Sequence, residues 1–148
     1  MRFAIGLAVA AAVILGATAV IAQQDPIKTR QHLMKENNDN AKVIVQMMRG
    51  QGSFDGKKVE AAFAQWSETA KALPGLFPES SKSGEDTRAS PKVWLNKKDF
   101  DDKAAAFGKA VAENRDKAKA SPDGLKAAMS AVGKACDNCH EDYRLSRR

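Results

Sequence analysis

The stretch that most constrains this chain is Cys136-Asp137-Asn138-Cys139-His140, close to the end of its 148 residues. The C-x-x-C-H spacing sets two thiols where they can add across the two vinyl groups of a haem. It also puts an imidazole beside the second thiol, where it can bind the iron. A pentapeptide can arise by chance, so its surroundings decide its weight. Walking back from Tyr143, apolar or sulfur-bearing residues fall at Cys139, Cys136, Val132, Met129 and Leu125, in alternating steps of four and three. That is the one-sided stripe of an amphipathic helix. Both cysteines therefore sit on the face turned to a core. The motif predicts one haem c, joined covalently to Cys136 and Cys139 and ligated by His140, inside a helical domain.

Two other chemistries use such a pair. A redox dithiol normally lies at a helix N-terminus, where the dipole lowers a thiol pKa, and this pair lies near a helix end. A zinc site needs four ligands, whereas the chain offers only Cys136, Cys139, His140 and the distant His32.

The N-terminus has a different character. Arg2 precedes an uncharged, alanine-rich run from Phe3 to Ala22, then polar Gln23, Gln24 and Asp25. Val20-Ile21-Ala22 suits a signal-peptidase site, which predicts a signal peptide over 1–22, a mature domain over 23–148 and export to the periplasm. An uncleaved membrane anchor is the alternative, since a run of this length can span a bilayer. Export suits the motif, because c-type haem is attached outside the cytoplasm. Losing Arg2 lowers the formal charge of +6 by one. The lysines alternate with acids and the chain has one Tyr and two Trp, so no nucleic-acid groove with stacking aromatics is present. Redox proteins are the expected partners, with no membrane contact after cleavage and a monomer or homodimer as the assembly.

Along the chain, Asp25-Pro26 reads as an N-cap followed by proline at the first helical position. The helix it opens runs to about Arg49, with Ile27, Met34, Ala41 and Met48 every seven residues. Residues 51–56 form a turn. Val59, Ala62, Phe63, Trp66, Ala70 and Leu73 then make a second stripe, stopped by Pro74, Gly75 and Pro78. Residues 79–90 are a polar loop, and Pro91 to Leu95 is a short turn that drops Trp94 onto the core. Asn96 can cap a third helix carrying Phe100, Ala104, Phe107 and Val111, and Ser121-Pro122 opens a fourth that runs to about Leu145. The pattern predicts an all-α, antiparallel four-helix bundle with its haem near the C-terminus.

The opposite face of the iron decides what the haem can do. A thioether there favours the reduced state and closes the site; an open position admits NO or CO. Met129 shares the haem helix and cannot readily reach the far face, and Met47 and Met48 lie at the wrong end of the first helix. Met34 lies near the start of that helix, which in an antiparallel bundle can meet the end of the fourth. Spacing alone leaves two readings of Met34, an iron ligand or a side chain packed on the porphyrin.

The mature chain resembles class II cytochromes c, the cytochrome c prime family. The resemblance rests on Arg30-Gln31 with Leu33-Met34-Lys35, the stretch ETAKALPGLFP from Glu68 to Pro78, Ser90-Pro91-Lys92-Val93-Trp94, and the ending GKACDNCHEDYR. The LMK triplet and the ALPGLFP loop are most similar to the low-spin, methionine-ligated branch. The resemblance implies Met34 as sixth ligand, opposite His140. It implies Arg30 and Gln31 at the haem edge, where an arginine can meet a propionate, and Arg144 beside the proximal imidazole. The expected function is electron transfer without enzymatic activity; the alternative is a five-coordinate haem protein that binds NO or CO. A peroxidase would want a distal acid–base pair, and the spare His32, two residues from Met34, points away from that side of its helix.

Overall fold

A computed structural model describes residues 25–146. The predicted signal peptide lies outside the described residues. α1 (Pro26–Met48) starts where Asp25 accepts hydrogen bonds from the backbone N–H groups of Ile27 (2.8 Å) and Lys28 (3.4 Å). It ends ahead of Gly50, whose φ of +72° is the left-handed conformation that closes helices. α2 (Gly56–Ala72) begins at the last residue assigned to the turn, because the Asp55 carboxylate caps Lys57 and Lys58. After α2 the chain tightens into 3-10 turns at Leu73–Leu76 and Glu79–Ser81. A single-turn helix α3 (Lys92–Leu95) then leads into α4 (Lys97–Ala120) and α5 (Pro122–Tyr143).

Two details differ from the sequence reading. Asn96 sits at the start of α4, yet its side chain makes no capping bond; α4 follows so closely on α3 that the Asn96 N–H is taken by Lys92 O (2.8 Å). α5 stops at Tyr143 because Arg144 pairs with Ala89 in an isolated antiparallel bridge, with Ser90 N–H donating to Tyr143 O and Leu145 N–H to Arg88 O.

The long helices α1, α2, α4 and α5 pack as an antiparallel four-helix bundle. Its main core joins Ile44 of α1, Val59, Phe63 and Trp66 of α2, Phe107 and Val111 of α4, and Leu125 and Val132 of α5. The turn between α4 and α5 is tight: a Cβ on Gly124 would lie 2.0 Å from Lys117 O, so only glycine fits there. A smaller aromatic cluster closes one end. Val93, Phe100 and Tyr143 are buried in it, and Phe77, Ala89, Trp94 and Cys139 pack around them. Trp94 is half-buried there, its Nε1–H donating to Phe77 O (2.9 Å) and Pro78 O (3.2 Å), while Val93 is the fully buried residue of that turn.

Candidate functional site

Cys136 and Cys139 are one turn apart on the inner side of α5, both half-buried and neither in a disulfide. They straddle the junction of the two clusters, Cys136 against the main core and Cys139 against the aromatic end. Burial, helped by the charge of Asp137, pushes the Cys136 thiol up to about 11. Burial also raises Cys139, against the opposing charge of Lys103. Such thiols stay protonated near neutrality and are poor redox or metal-binding thiolates. His140 is half-buried beside them. Burial, assisted by the charges of Arg144 and Arg88, holds its imidazole below the ordinary range and leaves it neutral with a lone pair to offer. Arg144 itself is exposed, and its backbone N–H donates to His140 O at 3.2 Å.

The end of α5 is fixed to α4. Lys103 Nζ reaches the carboxylate of Asp142 and Asn138 O, and the Tyr143 hydroxyl donates to Asp99 Oδ2. Tyr143 also meets Phe100 edge to face, with ring centroids 5.3 Å apart. Burial first, then the bond to Asp99, raises the Tyr143 phenol well above its usual value. The folded form therefore holds the proton more tightly than the unfolded chain. That contribution to stability is complete below about pH 10 and is lost as pH rises through the raised folded value. Tyr143 is the single tyrosine of the chain, so phenolate absorbance reads it alone. We expect no ionisation at the ordinary tyrosine pH in the folded protein, and earlier ionisation in Asp99→Asn.

The other predicted residues lie on the first helix. The seven-residue stripe of Ile27, Met34, Ala41 and Met48 is joined by a second one, Arg30, Asn37 and Ile44; the sequence reading placed Arg30 at a haem edge and did not single out Asn37. Arg30 is buried at 5% exposure. Its four terminal N–H groups go to Leu76 O, Ser81 Oγ, Ser81 O and Thr87 Oγ1, all within 2.9 Å. Its guanidinium stacks 4.6 Å from the centroid of Phe77. Gln31 is exposed and donates to Glu85 O, and Lys28 pairs with the Glu85 carboxylate at 3.6 Å. These residues clasp the segment 76–87, in which Gly84, Glu85 and Asp86 all have positive φ (104°, 47° and 51°). For the two non-glycine residues that conformation costs about 1–2 kcal/mol each. Only the spacing of Arg30 on the core stripe signalled this in the sequence.

Through Phe77, Phe100 and Tyr143 the start of α1 is linked to the end of α5, as the antiparallel reading expects. Met47, Met48 and Met129 pack against the main core cluster; Met34 is half-buried and is not among the residues of that cluster. A groove of about 310 Å³ between α4 and α5, lined by Lys103, Lys134, Asn138 and Glu141 among others, borders neither cysteine nor His140.

Among the described residues no group of three or more His, Cys, Asp and Glu could hold a metal directly. Two unpaired thiols one turn apart, a neutral imidazole and apolar walls instead fit an iron carried by a covalently bound porphyrin. The family model for Cytochrome C' matches residues 25–144. This chain belongs to the cytochrome c' family. It is similar to cytochrome c-556 of Rhodopseudomonas palustris, 46% identical over 140 residues that cover 92% of this chain and 93% of the relative. It is 37% identical to the cytochrome c' of the same organism over 141 residues, 94% of each. The solved structure of cytochrome c' from that organism superposes with a TM-score of 0.80 at 34% identity, covering 85% of this chain and all of that one. This cytochrome thus carries covalently attached haem c, and its family transfers electrons or binds gases. Family members are generally periplasmic and typically electron carriers. Among the described residues no helix is long and apolar enough to cross a membrane.

Proposed function

We propose that this cytochrome is a periplasmic electron carrier whose haem is joined to Cys136 and Cys139 and ligated by His140 and Met34. The haem supplies a one-electron iron couple. His140 offers a neutral nitrogen from a half-buried position, and burial disfavours its protonation. Met34 offers an uncharged sulfur, a donor that favours reduced iron. One pair of donors serving both oxidation states keeps the protein's rearrangement small. The four terminal N–H groups of Arg30 are engaged by the segment 76–87, so those donors serve that clasp.

The observation that carries this reading is the setting of Met34. It lies on the inward stripe of α1, one turn after a residue that stacks on the aromatic cluster of Cys139, and outside the core cluster that absorbs the other mature methionines. The absorption spectrum of the purified protein, taken with and without CO, tests it. Low-spin bands indifferent to CO are expected. High-spin bands and ready CO uptake would overturn the reading in favour of a gas-binding site in which Met34 is only a wall.

A further inference from the structure

Met34 sits between two polar anchors. One turn before it, Arg30 binds the segment 76–87 through four hydrogen bonds. Three residues after it, Asn37 accepts from Thr69 Oγ1 (2.9 Å) through its side chain and from Trp66 Nε1 (3.3 Å) through its main-chain oxygen. Between these points α1 has no fully buried side chain, and Leu33 and Met34 are both half-buried. Among the described protein groups, these hydrogen bonds are the holds on either side of Met34.

We propose that Arg30 is a positioning residue for the sixth iron ligand: by latching residues 76–87 across the start of α1, it holds Met34 at the depth that keeps the iron closed. The inference rests on the His140/Met34 reading. The chemistry of the latch supports it. The acceptors are carbonyls and hydroxyls, so the bonds need a rigid fork of donors rather than a point charge, and a lysine could not make all four. The latched segment contains two non-glycine residues in left-handed backbone, a conformation that persists only when surrounding contacts enforce it. Without the latch the segment would relax, leaving Asn37 as the one remaining hold of the two on Met34.

The test uses the haem-loaded protein with Arg30→Lys, which keeps the charge and loses the fork. A second variant, Ser81→Ala with Thr87→Val, removes two acceptors and leaves Arg30 in place. Amide hydrogen exchange of residues 81–87 reports the latch, and stopped-flow mixing with CO reports closure of the iron. Both variants should exchange faster in that segment and bind CO about tenfold faster than wild type, because the open population rises by the factor that one or two lost hydrogen bonds supply. A loosened segment with CO binding as slow as in wild type would overturn the inference, and so would unchanged exchange. Rapid CO uptake by the wild type itself would instead remove the His140/Met34 reading, and this inference with it.

Discussion

Replacing Met34 with alanine is expected to turn a haem indifferent to CO into one that binds it, with high-spin bands in place of low-spin ones. On the proposed ligation, the substitution removes the sulfur and leaves His140 as the single protein donor. A gas that formerly had to wait for the sulfur to leave then meets an open position, so apparent affinity should rise by roughly 100-fold or more. The reduction potential should fall, since thioether ligation favours the reduced iron. Stability should change less than for a buried methionine, whose truncation costs about 2–5 kcal/mol, because Met34 is half-buried and lies outside the main cluster. CO titration and potentiometry of the variant check both points. A wild type and a variant with the same high-spin spectrum would sink the assignment of Met34.

The second large effect is expected from Cys136→Ser combined with Cys139→Ser. Serine preserves the size of each side chain but cannot add to a vinyl group, so the purified chain should have the mass of the bare polypeptide. Any haem retained through His140 should come away in acidified organic solvent, which leaves a thioether-bound haem in place. The fold should weaken as well, because a group bound only by the folded state stabilises it and its loss withdraws that contribution. Mass spectrometry and thermal unfolding measure these outcomes. A colour that resists extraction from the double variant would show that the attachment lies elsewhere.

Much of the fold was legible because its signals are local. Asp25-Pro26 and Ser121-Pro122 combine a capping side chain with a proline that suits a first helical turn, and in both the side chain caps as expected. Asp55 carries the capping half of that signal ahead of Lys57 and Lys58, with Gly56 where the others have proline, and was hidden inside a stretch read as turn. The end of α5 was not legible. Its last turn is cut short by pairing with residues 88–90, more than fifty positions away, which helical periodicity does not report.

The site divides in the same way. Cys136, Cys139 and His140 form a contiguous motif whose spacing alone predicts its chemistry. Arg30 was singled out through the family resemblance, as a charge that can meet a propionate. Its engagement with Leu76, Ser81 and Thr87 depends on how a distant loop folds back. Asn37 escaped notice because a polar residue on a helix reads as surface until its partners on α2 are known.

The segment from Leu76 to Ser90 touches both the first and the last helix of the bundle, at Arg30 on one side and at Tyr143 on the other. It therefore works as a ruler laid across the end of the molecule, with its number of residues as the graduation. Deleting or inserting a residue in it would shift the spacing of those two helices while leaving every side chain on them intact. On the proposed ligation by His140 and Met34, loop length would then tune the spacing of the two helices without altering a donor.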